Sequence, residues 1–286
     1  MTRGHWAAAG LVAAGLVAGS LSPRPPLREP IRAGGFWILA VDFHVHGFPG
    51  DGALAPWLLR DEAARAGLDA FALTNHNRVS TARAARRLFA GTPGPIVIVG
   101  QEITARGFHI AAAGLEERVD WTQGAAAAIR AVHAQGGVTI AAHPGRDYWQ
   151  GWDDVSVALL DGFERAHPSM TQPERAADYA AFAARAAALH PNIAAIGSSD
   201  FHTGASPGVC RTWVLARERS AAGVVAAVRE GRTAAMDMAG TLYGNADVVR
   251  VISEAHLAAP TRRPLAAWSR TSSAAAVAGL LLLVLL

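Results

Sequence analysis

Residues Val41 to Gly52 read VDFHVHGFPGDG, an apolar extended run that breaks into a glycine- and proline-rich turn directly after two histidines. Alternate side chains on an extended chain share a face, so His44 and His46 project together and both rings can reach one cation. Asp51 lies in the turn that follows. Moving outward, the same construction recurs. The run Ala70–Leu73 is followed by TNHN and His76, Ile96–Gly100 by Glu102, Val138–Ala142 by His143, and Ala194–Gly197 by SSDFH with Asp200 and His202. His109 stands just before another run, Ile110–Ala113.

Between these runs lie alanine-rich amphipathic stretches: Pro56–Ala66, Ser80–Phe89, Gln123–Ala134, Pro173–Leu189 and Ala221–Arg229. Alternation of short strands with helices predicts parallel strands joined by helical crossovers. Phe36–Val45 and Gly162–Glu164 complete the expected strands, and the fold class is α/β, a distorted seven-stranded (β/α)7 TIM-like barrel with apolar N- and C-terminal segments. One junction departs from the rule. Only ITARGF separates Glu102 from His109, too short for a crossover helix, so an antiparallel pair returning His109 beside Glu102 is predicted there.

In strand–helix barrels the functional residues collect where strands end and loops begin. Packing explains such a set poorly, because each buried, unpaired polar group costs several kcal/mol by order of magnitude. Imidazole and carboxylate donors without thiolate suit zinc, manganese or iron better than magnesium or calcium.

Composition adds exclusions rather than identity. The sequence pI is 9.7 but the net charge is only +3, and every one of the 26 basic residues is arginine. With no basic run longer than two residues, a nucleic-acid surface is unsupported beyond short oligonucleotide substrates. Cys210 is alone, which excludes an internal disulfide, and its place between Val209 and Arg211 in an expected strand reads as a buried spectator thiol. The chain divides into an apolar anchor or signal segment (1–21), a Pro-rich linker (22–34), the barrel (35–240), a tail linker (241–273) and an apolar C-terminal segment (274–286). These apolar ends predict membrane association. The arginines at 24, 28 and 32 favour the cytoplasmic face, with export behind a signal peptide as the competing reading.

The motifs HVH with GDG, TNHN, GQE followed by FHI, AHP and SDFH together resemble the PHP (polymerase and histidinol phosphatase) superfamily of metal-dependent phosphoesterases, from about Val41 to His202. The resemblance implies a distorted seven-stranded barrel, two or three divalent ions, and hydrolysis of small phosphate esters by metal-activated water. It assigns His44, His46, Glu102 and Asp200 to one metal, Glu102, His109 and His143 to a second, and Asp51, His76 and His202 to a third. Asn75 departs from the aspartate common at that position, removing a negative charge near the metals.

A planar guanidinium matches phosphate bidentately. Arg146, close after His143, is the expected substrate clamp, with Arg78 and Arg211 as weaker candidates, and His202 or a metal-bound water is the expected proton donor to the leaving group. Glu164 reads equally as approaching the site or as lying at an edge or rim, His167 as a loop residue, His133 and His190 as helix-end residues, and Tyr148, Trp149 and Trp152 as loop packing or a pocket wall. Three alternatives stay open: an amidohydrolase-type hydrolase, a nuclease acting on short oligonucleotides, and a membrane-tethered metal-binding module without catalysis. The sequence leaves the oligomeric state unassigned.

Overall fold

Strand β2 (Phe36–Val45) is the axis around which the sheet is organised; it is buried from Ile38 onward, as its near-continuous apolar run requires of a central strand. The computed structural model describes residues 2–21, 24–259 and 262–285; Ser22 and Pro23 of the Pro-rich linker, Pro260 and Thr261 of the tail, and the terminal Met1 and Leu286 lie outside the described residues. The remaining strands are β1 (Ile31–Ala33), β3 (Ala70–Leu73), β4 (Ile96–Ala105), β5 (Phe108–Ala113), β6 (Val138–Ala141), β7 (Gly162–Ala166), β8 (Ala194–Gly197), β9 (Arg211–Ala216), β10 (Thr233–Met236) and β11 (Leu242–Gly244). The helices are α1 (Arg3–Ser20), α2 (Pro56–Arg65), α3 (Ser80–Leu88), α4 (Ala125–Ala134), α5 (Asp154–Leu159), α6 (Pro173–Leu189), α7 (Ala221–Arg229), α8 (Ala246–Glu254) and α9 (Ala267–Leu285).

The sheet runs in the order β11-β10-β9-β2-β3-β4-β5-β6-β7-β8, with β1 paired on β2. This corrects the seven-strand expectation. The seven expected strands are present as β2 to β8, but β9 pairs antiparallel with β2, where a closed seven-strand barrel would place its last strand. Closure is then made by side chains. Thr212 Oγ1 accepts from Gly197 N and donates to Gly197 O, each at 2.9 Å, and Thr233 Oγ1 donates to Ala195 O at 3.0 Å. Two threonines thus stand in for the missing ladder between β8 and the β9–β10 pair, and the result is a nearly closed, barrel-like sheet.

Strand direction decides which residues meet. β2, β3 and β4 are mutually parallel, as are β6, β7 and β8, while β5 is antiparallel to both β4 and β6. The expected tight return is therefore present, with Thr104 opposite His109 in the ladder. It puts the start of β5 on the same rim as the ends of the other six. Beneath that rim, Leu39, Val41 and Phe43 of β2 cluster with Ile98, Ile140 and Ile196, and valines of α7 close the far end. The β2–β3 register shifts between Asp42 and Val45. Such an irregularity re-aims side chains, and here His44 and His46 become fully buried at the rim.

The apolar ends do something other than expected. α1 and α9 lie against each other, with backbones close enough that a Cβ on Gly15 would sit 2.6 Å from Ser272 O and one on Gly279 2.7 Å from Ala8 O. Glu62 of α2 accepts from Ala266 N (3.0 Å) and Ser269 Oγ (2.5 Å), so a buried carboxylate holds the start of α9 on the barrel. Among the described residues no helix is long and apolar enough to cross a membrane. The predicted membrane association through these segments is thereby overturned; they form a packed helix pair.

Candidate metal centre

All the residues singled out at strand ends converge on the one rim. His44 and His46 come from the end of β2, His76 from the turn after β3, and Glu102 from β4. His109 opens β5, His143 follows β6, and Asp200 and His202 follow β8. Asp51 arrives from the turn between β2 and α2. That turn depends on missing side chains: a Cβ on Gly52 would lie 2.1 Å from His46 O, and one on Gly50 2.3 Å from the Asn75 amide.

At the centre, four buried atoms have no hydrogen-bond partner: His44 Nε2, His46 Nε2, Glu102 Oε2 and Asp200 Oδ1. His44 Nε2 lies 3.3 Å from both oxygens, and His46 Nε2 lies 3.3 Å from Glu102 and 3.4 Å from Asp200. Donors about 2.1 Å from a tetrahedral cation sit about 3.4 Å apart, so the spacing fits an ion. The tautomers fit as well. His44 Nδ1 donates to Glu164 Oε1 at 2.9 Å and His46 Nδ1 to Asp51 Oδ1 at 3.0 Å. Those hydrogen bonds place the ring protons outward and leave the Nε2 lone pairs facing the centre.

Two further groups flank the first. Glu102 turns its other oxygen, Oε1, to His109 Nδ1 (2.7 Å) and His143 Nε2 (3.2 Å). Asp51 Oδ2 lies 3.0 Å from both His76 Nε2 and His202 Nε2, and His202 Nδ1 donates to Asp200 O. Glu102 is thus shared between two clusters and Asp51 is linked to His46. Each cluster brings at least three donor atoms within reach of one ion. His143 and Asp200 are held at positive φ, 27° and 48°, a conformation that neither residue adopts without support from its surroundings.

The electrostatics demand positive charge. Burial alone would push the His44 and His46 rings toward neutrality, yet their carboxylate neighbours outweigh it: Asp200, Glu102 and Glu164 hold His44 well above its ordinary value, and Asp200, Asp51 and Glu102 raise His46 to about 10. Burial opposes ionisation of Glu102 and Asp200, but His44 and the other imidazoles keep both well below the usual carboxylate range. Protons occupy the place that divalent ions fit.

Several supporting residues were left open or unnoticed in the sequence. Glu164, for which the sequence left approach to the site and an edge role equally open, is fully buried and accepts from both His44 Nδ1 and the backbone N–H of His143. Asp42 accepts from Ser199 Oγ (2.6 Å), Gly208 N (2.7 Å), Ser199 N (3.1 Å) and His44 N (3.2 Å), tying the loop that carries Asp200 and His202 to β2. Burial pushes its carboxyl up to about 6 despite those bonds. The DFH and SSDFH strings signal this pairing only weakly.

The arginines fall elsewhere than expected. Arg146 is exposed, bonds Asp178 and lies over Trp149, outside the open cleft of about 440 Å³ above the histidines. Arg78 is exposed, and Arg211 is buried on Gly208 O. Arg175, unremarked in the sequence, lines the cleft with Gln172, Ser169 and Tyr179. Tyr148 stands over His109 and His143 at 4.4 and 5.2 Å between ring centroids, whereas Trp152 is packed in the core. His133 and His190 bond Asp161 and Leu160 O, away from the site. Burial raises the Cys210 thiol to about 12, consistent with a spectator.

A family model described as PHP-associated matches residues 179–233, the segment containing Asp200 and His202. Among solved structures, the chain resembles a two-domain protein containing a predicted PHP-like metal-dependent phosphoesterase from Bacteroides vulgatus ATCC 8482. That likeness has 26% identity over 82% of this chain and 74% of that one, with a TM-score of 0.63. A candidate metal-dependent phosphoesterase from Bifidobacterium adolescentis ATCC 15703 matches at 20% identity over 61% of this chain and 89% of its own, with a TM-score of 0.44. PsfC from Pseudomonas syringae PB-5123 matches at 17% over 77% and 96%, with a TM-score of 0.49. Comparison with curated proteins gives no match. The motif residues gather at one rim of a barrel-like sheet, and with that family segment and structural likeness the chain is similar to members of the PHP superfamily.

Proposed function

We propose that this protein is a divalent-metal-dependent hydrolase of phosphate esters, acting on small phosphomonoesters. The observation that carries the reading is the quartet of buried, unpartnered donor atoms from His44, His46, Glu102 and Asp200, spaced as the edges of a coordination polyhedron. His44, His46, Glu102 and Asp200 would hold one ion, Glu102, His109 and His143 a second, and Asp51, His76 and His202, with His46 beside them, a third. Zinc, manganese and iron suit these donors. Held by these residues, such ions would supply Lewis acidity toward water and toward phosphoryl oxygens.

The chain's own residues supply the rest. Glu164 and Asp42 hold His44, His143 and the Asp200 loop in register, so that little reorganisation accompanies turnover. Arg175 offers the guanidinium that Arg146 is too far out on the rim to offer, steadied by Asp147 at 2.6 Å and fitted against Gly145, where a Cβ would meet it at 2.2 Å. His202 suits a ligand better than an acid, since its proton points to Asp200 O and its lone pair into the cluster.

Metal content of the purified protein, paired with assays on aryl phosphate monoesters, diesters and carboxyl esters under added manganese or zinc, tests the reading. Monoester turnover is expected, falling at least about 10³-fold in H44A with the circular-dichroism spectrum retained. Unchanged turnover in H44A, or bound metal with no turnover on any ester, defeats it.

A further inference from the structure

His167 follows β7 and lies on the cleft beside Arg175 and Tyr179. It is only 8% exposed, yet its Nε2 has no hydrogen-bond partner. The other ring nitrogen is committed: Nδ1 accepts the backbone N–H of Ser169 at 3.2 Å and contacts Ser169 Oγ at 2.9 Å. An accepting Nδ1 puts the ring proton on Nε2. The molecule therefore buries an N–H donor that points toward the cleft with nothing to receive it, and such a group is costly unless a partner arrives. The nearest carboxylate oxygen, Asp200 Oδ2, is 3.7 Å away, beyond hydrogen-bond reach.

The geometry points to His167 as a substrate-binding residue: its Nε2–H donates to a non-bridging oxygen of the phosphoryl group held above the His44–His143–Asp200 cluster. This inference rests on the phosphoesterase reading and adds to it a recognition wall that owes nothing to metal coordination. His143 and His167 have ring centroids 5.7 Å apart, so one tetrahedral anion can span the metal side and this wall. The wall is preformed. Ser169 Oγ and Tyr179 OH are 3.1 Å apart, Tyr179 is fully buried, and the short turn Pro168–Thr171 is capped by His167 itself.

Two substitutions separate recognition from capping. In H167N the amide oxygen can still accept the Ser169 N–H, as asparagine does in Asx turns, but the Nε2 donor is gone. In H167Q the amide nitrogen reaches the Nε2 position while the cap is lost. Binding of inorganic phosphate to manganese-loaded protein, measured by calorimetry, is the first readout; the KM for p-nitrophenyl phosphate and the manganese stoichiometry are the second and third. H167N is expected to weaken phosphate binding by roughly tenfold or more, as for a lost hydrogen bond to an anion, with manganese stoichiometry unchanged. H167Q is expected to recover most of the loss. Wild-type phosphate affinity in H167N overturns the assignment, and so does a loss of manganese without a loss of phosphate affinity, which makes His167 a prop for Asp200. If wild-type protein neither binds phosphate nor cleaves any phosphate ester, the functional reading falls and this inference falls with it.

Discussion

Asn75 stands where the family commonly has aspartate, and its surroundings explain the exchange. Its side-chain oxygen accepts from Gly47 N at 2.8 Å, while its amide nitrogen donates to Gly47 O at 2.8 Å and Pro49 O at 3.1 Å. An amide does both and a carboxylate only the first, so the residue belongs to the turn that delivers Asp51 rather than to the charge balance of the metals. Asn75→Asp sets a buried carboxylate against two carbonyl oxygens, and should cost about 2 kcal/mol or more. Thermal unfolding should register the loss, and metal analysis should show the Asp51–His76–His202 group weakened before the others. A variant as stable and as fully loaded as wild type removes this account. The candidate ligands themselves were legible because each is a histidine or carboxylate at or close to one end of an apolar run, a pattern that can be counted. Asp42, His167 and Arg175 were not, and Glu164 only in part, because their roles depend on which atom meets which across the fold. Glu164 and His44 are 120 residues apart, joined by one bond.

At the scale of elements, the antiparallel return between β4 and β5 could be read from loop length alone, since six residues cannot hold a crossover helix. Of the strands beyond β8, only one, around Cys210, could be read, and its pairing could not. β10 is TAAM, four residues of which two are alanine, and carries almost no strand propensity of its own. Its pairing with β9, and that of β9 with β2, is imposed by the partners. The terminal segments failed for the same kind of reason: a mostly apolar helix reads alike whether lipid or another helix covers it, and the Glu62–Ser269 contact that settles the matter spans 207 residues. Closure between β8 and β9 gives a test at this scale. Thr212→Val keeps the shape of the side chain and removes the hydroxyl, leaving both Gly197 N–H and C=O unpaired in a buried seam. A loss of about 2–4 kcal/mol is expected by denaturant unfolding, with Thr212→Ser largely restoring it. Since Gly197 leads into Ser198–Asp200, the valine variant should also bind metal less tightly. Equal stability of the valine and serine variants would show that the seam is held by packing instead.

For the whole molecule, the cluster makes stability and metal affinity functions of pH in opposite senses. In the metal-free protein, His46 is raised from 6.5 to about 10, so its stabilising contribution is complete below about pH 6.5 and fades as pH climbs through 10. Glu102 and Asp200 are depressed from 4.5 and 3.8, so theirs is present above those values and is lost as pH falls further. Proton-bridged pairs therefore hold the rim together between about pH 5 and 6.5. A divalent ion must displace those protons, so its binding releases them and strengthens as pH rises, when it also replaces the cohesion the protons no longer give. Stripping the metal with a chelator should lower the unfolding temperature far more at pH 8.5 than at pH 6. Calorimetric titration with manganese in buffers of different ionisation enthalpy should show at least one proton released per site at pH 7. A manganese affinity that stays flat from pH 6 to 8.5, with no buffer-dependent heat, would mean that His44 and His46 are already neutral when the ion arrives, and that the carboxylates at this rim are balanced by something other than their own histidines.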